Sequence, residues 1–344
     1  MEVYISDVDI FLRPLYNIVN ICQHTIYLER SRASLKIYKY TPGTKLCTDT
    51  AIALGFFDGV HVGHRRLLET AEKIAKEKNL LFTVFTFPAE NALKGEGVLY
   101  STEDKLEIFE ELGVEAVVLA DFASVASISA EDFITCSLIS DMGCRAAIAG
   151  FDFKFGKGAV GDASLLSERL FAHGRECIIE DEHRINGEKI STSLIKGLLS
   201  EGRVDEAAVL LGMPYFISCT AEHGNGVGKK LGFPTVNSGF ENHLPPIRRG
   251  VYRTATEISG RLYNGITNVG SCPTFDERAL HAETHIIGYS GDLYGKKIRI
   301  FFLGYLREEK RFEDEKDLIL QIEVDKNRAI KENGELKWQA IGLS

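Results

Sequence analysis

Ala51-Ile52-Ala53-Leu54-Gly55-Phe56-Phe57-Asp58-Gly59-Val60-His61-Val62-Gly63-His64 is the stretch on which the fold of this chain turns. An apolar run of strand length ends at a glycine, and two histidines flanking Gly63 lead into a helical pattern. A strand-to-helix turn of this kind aims backbone N–H groups and the positive end of the helix dipole at one point. That arrangement suits the phosphates of a nucleoside triphosphate. Gly55, Phe57, Asp58, Gly59 and Gly63 are read as the phosphate-binding turn, with His61 and His64 donating hydrogen bonds as charge builds on phosphate oxygens.

Outward from this turn, strand-like and helix-like segments alternate through about residue 181. Residues 64–79 place Leu67, Leu68, Ala71, Ile74 and Ala75 on one helical face. Strands are expected at 81–87, 115–120, 145–150 and 176–180. Helices are expected after Ser101 and Thr102 (through Leu106, Phe109 and Leu112 to Gly113), from a cap at Ser129 and Asp132 through Met142, and at 163–172. Repeated β-α-β with short joints predicts an α/β domain with a Rossmann-like parallel sheet covered by helices. Ligands of such sheets bind beyond the carboxyl ends of the strands. Both 55–64 and 150–161 follow strands directly.

The pattern changes after about residue 215. Short β-like runs at 215–221, 250–258, 262–269, 281–288 and 297–303 are separated by Gly, Pro, Asn and Asp, which predicts an antiparallel sheet or small barrel. A short helix at 204–211 precedes them. A charged terminal helix is expected at 314–333 with Leu318, Ile319, Ile322 and Ala329 as its apolar members. The chain divides into an extension at 1–34, domains at 35–205 and 206–330, and a tail at 331–344. The extension is either an appendage or upstream sequence included by a misplaced start.

The totals exclude several classes. At 344 residues there is room for two domains, and 44% hydrophobic with 26% charged residues fits an ordinary globular protein. A net charge of −9 argues against general binding to nucleic acid or anionic membranes. Seven scattered cysteines without a CxxC pair suggest neither a zinc site nor a disulfide framework, which fits a reducing cytoplasm. Residues 14–28 are too short and polar a run for a membrane span.

Two further segments of the α/β part carry chemistry. In Gly150-Phe151-Asp152-Phe153-Lys154-Phe155-Gly156, aromatics alternate with charges and can enclose a flat ring while offering a cation to phosphate. Core packing of one face accounts for the same alternation equally well. In Ile190-Ser191-Thr192-Ser193-Leu194-Ile195-Lys196, the hydroxyls of Ser191, Thr192 and Ser193 and the cation of Lys196 form a second anion site at a helix start.

In the β-rich part, His223-Gly224-Asn225-Gly226-Val227-Gly228-Lys229-Lys230 permits a loop folded over phosphates. Gly224, Gly226 and Gly228 supply the tight turns, and Lys229 or Lys230 the charge. Thr235 and Asn237 follow in Gly232-Phe233-Pro234-Thr235-Val236-Asn237. In an extended segment these two neutral oxygen donors point the same way, suited to Mg²⁺ that already carries phosphate oxygens.

Taken together, these segments resemble the bacterial bifunctional FAD synthetases, which join riboflavin kinase to FMN adenylyltransferase. The 57–64 and 150–156 segments carry the likeness over about residues 36–205. Over about residues 206–330 it rests on the 232–237 segment with Gly250-Val251-Tyr252, Asn268-Val269-Gly270, Pro273-Thr274-Phe275, Glu283-Thr284-His285, Asp292-Leu293-Tyr294-Gly295, Leu306-Arg307 and Phe312. The resemblance implies an antiparallel kinase barrel with a terminal helix, ATP and Mg²⁺ as co-substrate and cofactor, riboflavin and FMN as substrates, and FMN and FAD as products. It implies that Glu283 is the base at the ribityl 5′-hydroxyl, that Thr235 and Asn237 hold Mg²⁺, and that His61 and His64 meet the ATP phosphates. Phe151, Asp152, Phe153, Tyr294 and Arg307 are its flavin-binding candidates, with packing and a surface ion pair as the plain alternatives for the last two.

This chain departs from the family at two places. The third motif normally reads Ile-Ser-Ser-Thr-Arg-Ile-Arg, whereas Leu194 and Lys196 stand at the arginine positions here. Lysine keeps the charge but loses the planar fork that grips two phosphate oxygens. Phe85-Thr86-Phe87-Pro88-Ala89-Glu90 also lacks the His-Pro that commonly follows the second strand. Two alternatives therefore stand beside the bifunctional enzyme: a riboflavin kinase with a weak or inactive adenylyltransferase domain, and a catalytically silent flavin-binding regulator.

Overall fold

Five parallel ladders order the N-terminal half. The structure is a computed structural model that describes residues 34–91, 97–185, 187–222, 232–239, 245, 247–271 and 280–334. These fall into two compact units that part between Thr192 and Ser193.

In the first unit, β1 (Lys36–Tyr40), β2 (Thr50–Leu54), β3 (Leu81–Thr86), β4 (Ala116–Ala120), β5 (Cys144–Gly150) and β8 (Glu176–Glu180) form one sheet in the order β1-β4-β3-β2-β5-β8. Every pairing in it is parallel. β2 is buried along its whole length, as expected of a central strand covered on both faces. The chain winds outward from β2 through β3 to β4, then crosses back so that β5 lies on the other side of β2. The winding reverses between β2 and β5, the place where open α/β sheets bind their ligands.

The helix Val62–Lys78 buries the five apolar residues expected of it and ends at Asn79, whose backbone is left-handed. Ser101 caps Thr102–Glu111 by accepting from the Asp104 N–H at 3.0 Å. The expected helix after Ser129 is also present. It starts as an α-turn at Ala130–Asp132 and widens into a π-helix over Phe133–Asp141. Phe133, Ile134, Ser137, Leu138 and Asp141 are its buried residues. Two small hairpins escaped the sequence reading: β6 (Lys154–Phe155) with β7 (Gly161–Asp162), and β9 (Arg184–Ile185) with β10 (Glu188–Lys189). Each strand has two residues, too few to display a period.

The second unit begins with the helices Thr192–Glu201 and Val204–Leu211. A six-stranded sheet follows, ordered β11 (Phe216–Thr220), β16 (Lys297–Arg307), β13 (Gly250–Ile258), β14 (Arg261–Ser271), β15 (Leu280–Ile286) and β12 (Thr235–Gly239), antiparallel throughout. Glu222, just beyond β11, forms a bridge with Asn237 of β12, so the two edges of the sheet meet and it curls into a half-barrel. The terminal helix Glu315–Asn333, capped by Asp314, packs on β13 and β14. Its inward face holds not only Ala329 but also Asp325 and Asn333, both buried. No helix among the described residues is long and apolar enough to cross a membrane. The 1–34 extension (all but Ser34), Gly224, Gly226, Gly228, Lys229, Lys230 and the 273–275 segment lie outside the described residues.

Candidate active sites

The residues of the first site converge at the carboxyl ends of β2 and β5. Leaving β2, the chain forms a strained turn: Phe57 and Val60 both have positive φ, 55° and 41°, in addition to Gly59 at 80°. Strain of this kind persists only where surrounding contacts over-determine it, and it concentrates at functional sites. The turn delivers His61 to the N-cap of the Val62–Lys78 helix, where its Nδ1 accepts the His64 N–H at 3.3 Å. That bond leaves the ring proton on Nε2, so His61 presents a donor away from the helix.

The two imidazoles stack, with centroids 3.7 Å apart and planes within 11°. Gly63 makes room for them, because a Cβ there would stand 3.2 Å from Cε1 of His61. Burial pushes the His61 pKa down to about 4. Burial first, then the charges of His61 and Lys105, hold His64 well below the usual imidazole range. Both rings are therefore neutral donors at pH 7, and the buried Nδ1 of His64 has no hydrogen-bond partner among the described residues.

Asp58 has a structural task within the turn. Its buried carboxylate accepts the Leu99 N–H at 2.8 Å, and its carbonyl accepts the Thr192 hydroxyl at 3.3 Å. The second bond ties Thr192 to the 55–64 turn. Ser193 is exposed and Lys196 half-buried on the Thr192–Glu201 helix, whose body belongs to the second unit.

Of the aromatics after β5, Phe155 is buried and Phe153 stacks on it at 5.7 Å, so these two are core. Phe151 is exposed, with the Lys189 ammonium 4.7 Å above its ring and Asp152 paired to the same lysine at 3.4 Å. A second aromatic surface had not been expected. Phe56, Phe87 and Phe122 follow β2, β3 and β4 and form a continuous wall, Phe56 stacked on Phe87 and Phe87 edge-on to the exposed Phe122. The signal was present in the sequence as a phenylalanine within two residues of three successive strand ends.

The second site is a row across the half-barrel. Register sets Asn237 opposite Glu283, Glu283 opposite Asn268, Asn268 opposite Val251, and Val251 opposite Arg307. The next row sets Thr235 opposite His285 and His285 opposite Ile266. Thr235 and Asn237 share a face, as the alternation predicts, and directly opposed residues share it too, which sets Glu283 beside Asn237. A cavity of about 230 Å³ opens on this face, lined by Thr235, Asn268, Glu283, Arg307, Phe312 and Ile322 but not by Asn237.

Glu283 is exposed to solvent. His285 donates from Nδ1 to the Pro234 carbonyl at 3.0 Å, and burial lowers its pKa. Arg307 is more than a surface ion pair. It grips the buried Asp325 of the terminal helix through Nε at 3.0 Å and Nη2 at 2.8 Å, while Gln321 donates to the other carboxylate oxygen at 3.0 Å. Tyr294 is exposed in a turn and does not line the cavity. Two neutral side-chain oxygens beside one carboxylate are a donor set for a hard cation that takes its remaining ligands from phosphate and water. The buried amide nitrogen of Asn237 has no partner among the described residues, so this side chain is not spent on holding the sheet.

Residues 44–194 match the FAD synthetase family model and residues 211–332 the riboflavin kinase model. The chain is 37% identical over 294 residues to the bifunctional riboflavin kinase/FMN adenylyltransferase of Bacillus subtilis (strain 168), covering 82% of this chain and 92% of that protein. The protein of the same name from Escherichia coli (strain K12) is 31% identical over 283 residues, covering 80% and 90%. A crystal structure titled macrolide-efflux protein from Streptococcus pneumoniae superposes with a TM-score of 0.76 at 28% identity, covering 85% of this chain and 98% of that one. With both domain models matched in order and relatives matched over most of their length, the chain belongs to the bifunctional riboflavin kinase/FMN adenylyltransferase family.

Proposed function

We propose that this protein phosphorylates riboflavin to FMN in residues 206–330 and adenylylates FMN to FAD in residues 35–205, in the cytoplasm and without a nucleic-acid or membrane partner. The observation that carries the reading is the presence on one chain of a neutral histidine pair at a sheet's switch point and of the Asn237–Glu283–Asn268 row beside a cavity.

In the kinase half, the riboflavin 5′-hydroxyl attacks the γ-phosphorus of ATP, its proton passes to Glu283, and ADP leaves. Thr235 and Asn237 are the residues that would hold Mg²⁺, which neutralises charge on the transferring phosphate. Arg307, fixed by Asp325, forms the flavin side of the cavity.

In the adenylylating half, an FMN phosphate oxygen attacks the α-phosphorus of ATP and pyrophosphate leaves. His61 and His64 donate to the phosphate oxygens, the backbone N–H groups of the turn share that charge, and no covalent enzyme intermediate is required. The wall of Phe56, Phe87 and Phe122 offers a stacking surface for the flavin ring, with Phe151 as a second one.

A second reading, a kinase with a weak adenylyltransferase, is favoured by one observation: Leu194 and Lys196 stand where the family carries arginines. One experiment separates the two readings. Purified protein is incubated with riboflavin, ATP and Mg²⁺, and separately with FMN, ATP and Mg²⁺, and the flavins are resolved chromatographically. FAD appears in both under the first reading. FMN alone from riboflavin, with no FAD from supplied FMN, supports the second. A protein that binds flavin and forms neither product would sink both.

A further inference from the structure

Beneath the strained turn sit two buried cations. Arg65 is buried and donates from Nε to the carbonyl of Val60 at 3.1 Å, one of the turn's two non-glycine residues with positive φ. Lys105, on the helix Thr102–Glu111, is 2% exposed and donates to the Phe56 carbonyl at 3.0 Å, the Thr86 hydroxyl at 3.2 Å and the Phe87 carbonyl at 2.6 Å. Its ammonium also lies 4.9 Å from the centre of the Phe56 ring. Thr86 itself donates to the Phe56 carbonyl at 2.9 Å.

This placement is not needed to assemble the sheet. The β2–β3 ladder is already complete at Leu54 and Phe85, and the Gly55 N–H adds one more bond to the Phe85 carbonyl. Lys105 binds just past the last rung, on the carbonyls from which the two chains leave the sheet. Burying an ammonium is costly, and apolar residues of similar volume often stabilise such positions better. Here the cost falls on the carboxyl edge, where α/β sheets bind ligands. The two carbonyls it joins belong to Phe56, which precedes the strained Phe57, and to Phe87, the next ring of the aromatic wall.

We propose that Lys105 is a positioning residue for adenylyl transfer: its ammonium fixes both the turn that carries His61 and His64 and the Phe56–Phe87 wall beside it. The proposal rests on the adenylylation reading given above. It adds a residue that touches neither ATP nor flavin and yet sets the geometry between them. The charged groups facing the histidine pair are Arg65 on their own helix, Lys105 on the neighbouring one and Asp152 beyond β5. Removing Lys105 takes away one cation and leaves the other two groups in place.

The test is Lys105→Met, with riboflavin phosphorylation by the same protein as the control for folding. FMN adenylylation is expected to fall by about 10²-fold in kcat, the size of effect that misplacing reacting groups by an ångström produces. Riboflavin phosphorylation is expected to stay unchanged, and the apparent pKa of the histidine pair in the pH–rate profile of adenylylation to move upward. Adenylylation at the wild-type rate overturns the proposal. So does a loss of rate with an unmoved pH profile, which marks a merely structural lysine. Should Lys105→Met lose both activities, Lys105→Ala assayed with added ethylamine decides: restored FAD formation supports the role, and no restoration overturns it. A wild type that makes no FAD from FMN counts against the functional reading, whereas a wild type that makes FAD beside an equally fast Lys105→Met counts against Lys105 alone.

Discussion

His61 does two things with one ring, and the protonation state is what joins them. Its Nδ1 caps the Val62–Lys78 helix, and its Nε2–H is left as a donor facing away from that helix. Both functions need the neutral form, which burial secures by lowering the pKa from 6.5 to about 4. The cost of this arrangement has a definite sign. Between those two values the unfolded chain takes up a proton that the folded chain refuses, so stability is complete above pH 6.5 and declines as the pH falls toward 4. The decline over that interval is about 3 kcal/mol for this one residue. Urea unfolding of the wild type and of His61→Asn at pH 7 and pH 4.5 measures it, because asparagine keeps a capping acceptor but does not titrate. The wild type should lose more stability on acidification than the variant, and parallel losses would contradict the account. His61 was legible as a candidate in the His-Val-Gly-His pattern. Its tautomer and its lowered pKa were not, since they follow from the cap bond to the His64 N–H and from burial, with the Arg65 charge adding to the downward push.

Among the elements, the terminal helix was legible as a helix but not as a wall of the kinase cavity. Its apolar positions Leu318, Ile319, Ile322 and Ala329 mark an inward face of ordinary kind. The interior of that face nonetheless holds Asp325, clamped by Arg307 and Gln321, and Asn333, which donates to the Thr254 carbonyl and to Asn264 and accepts from Arg253. A buried carboxylate paired with a half-buried guanidinium is worth little against an apolar pair, yet it is expensive to break from one side. Asp325→Ala is therefore expected to destabilise the second unit by about 3 kcal/mol and to raise the KM for riboflavin. The double variant Asp325→Ala with Arg307→Met should recover much of the stability but not the riboflavin affinity. Thermal unfolding and kinase kinetics on the three variants check this. Recovery of both properties would reduce Arg307 to packing. Reading the sequence alone, a carboxylate in a charged helix looks solvated, because nothing local to Asp325 reveals an arginine eighteen residues earlier on a strand.

On the scale of the whole molecule, the product of one half-reaction is the substrate of the other. His64→Ala should form FMN from riboflavin and stop there, and Glu283→Gln should make FAD only from supplied FMN. Mixed in one tube with riboflavin and ATP, the two variants should together produce FAD. Failure of the mixture, with each variant still competent in its own half-reaction, would mean that FMN is handed over only within a single chain. By itself the sequence determined a good deal: an α/β half before a β-rich half, the strand and helix that bracket the 55–64 turn, and the candidate residues of both sites. Those features follow from periodicity and turn chemistry, which act over a few residues and are written in the chain order. Only the tertiary structure decided that the sheet reverses between β2 and β5, that Phe56, Phe87 and Phe122 form one surface, and that Lys105 binds the carbonyls of the first two. It alone set Asn237, Glu283, Asn268 and Arg307 in one row. Each of these joins positions tens of residues apart, and strand order, register and burial are settled by packing the whole chain rather than by any segment of it.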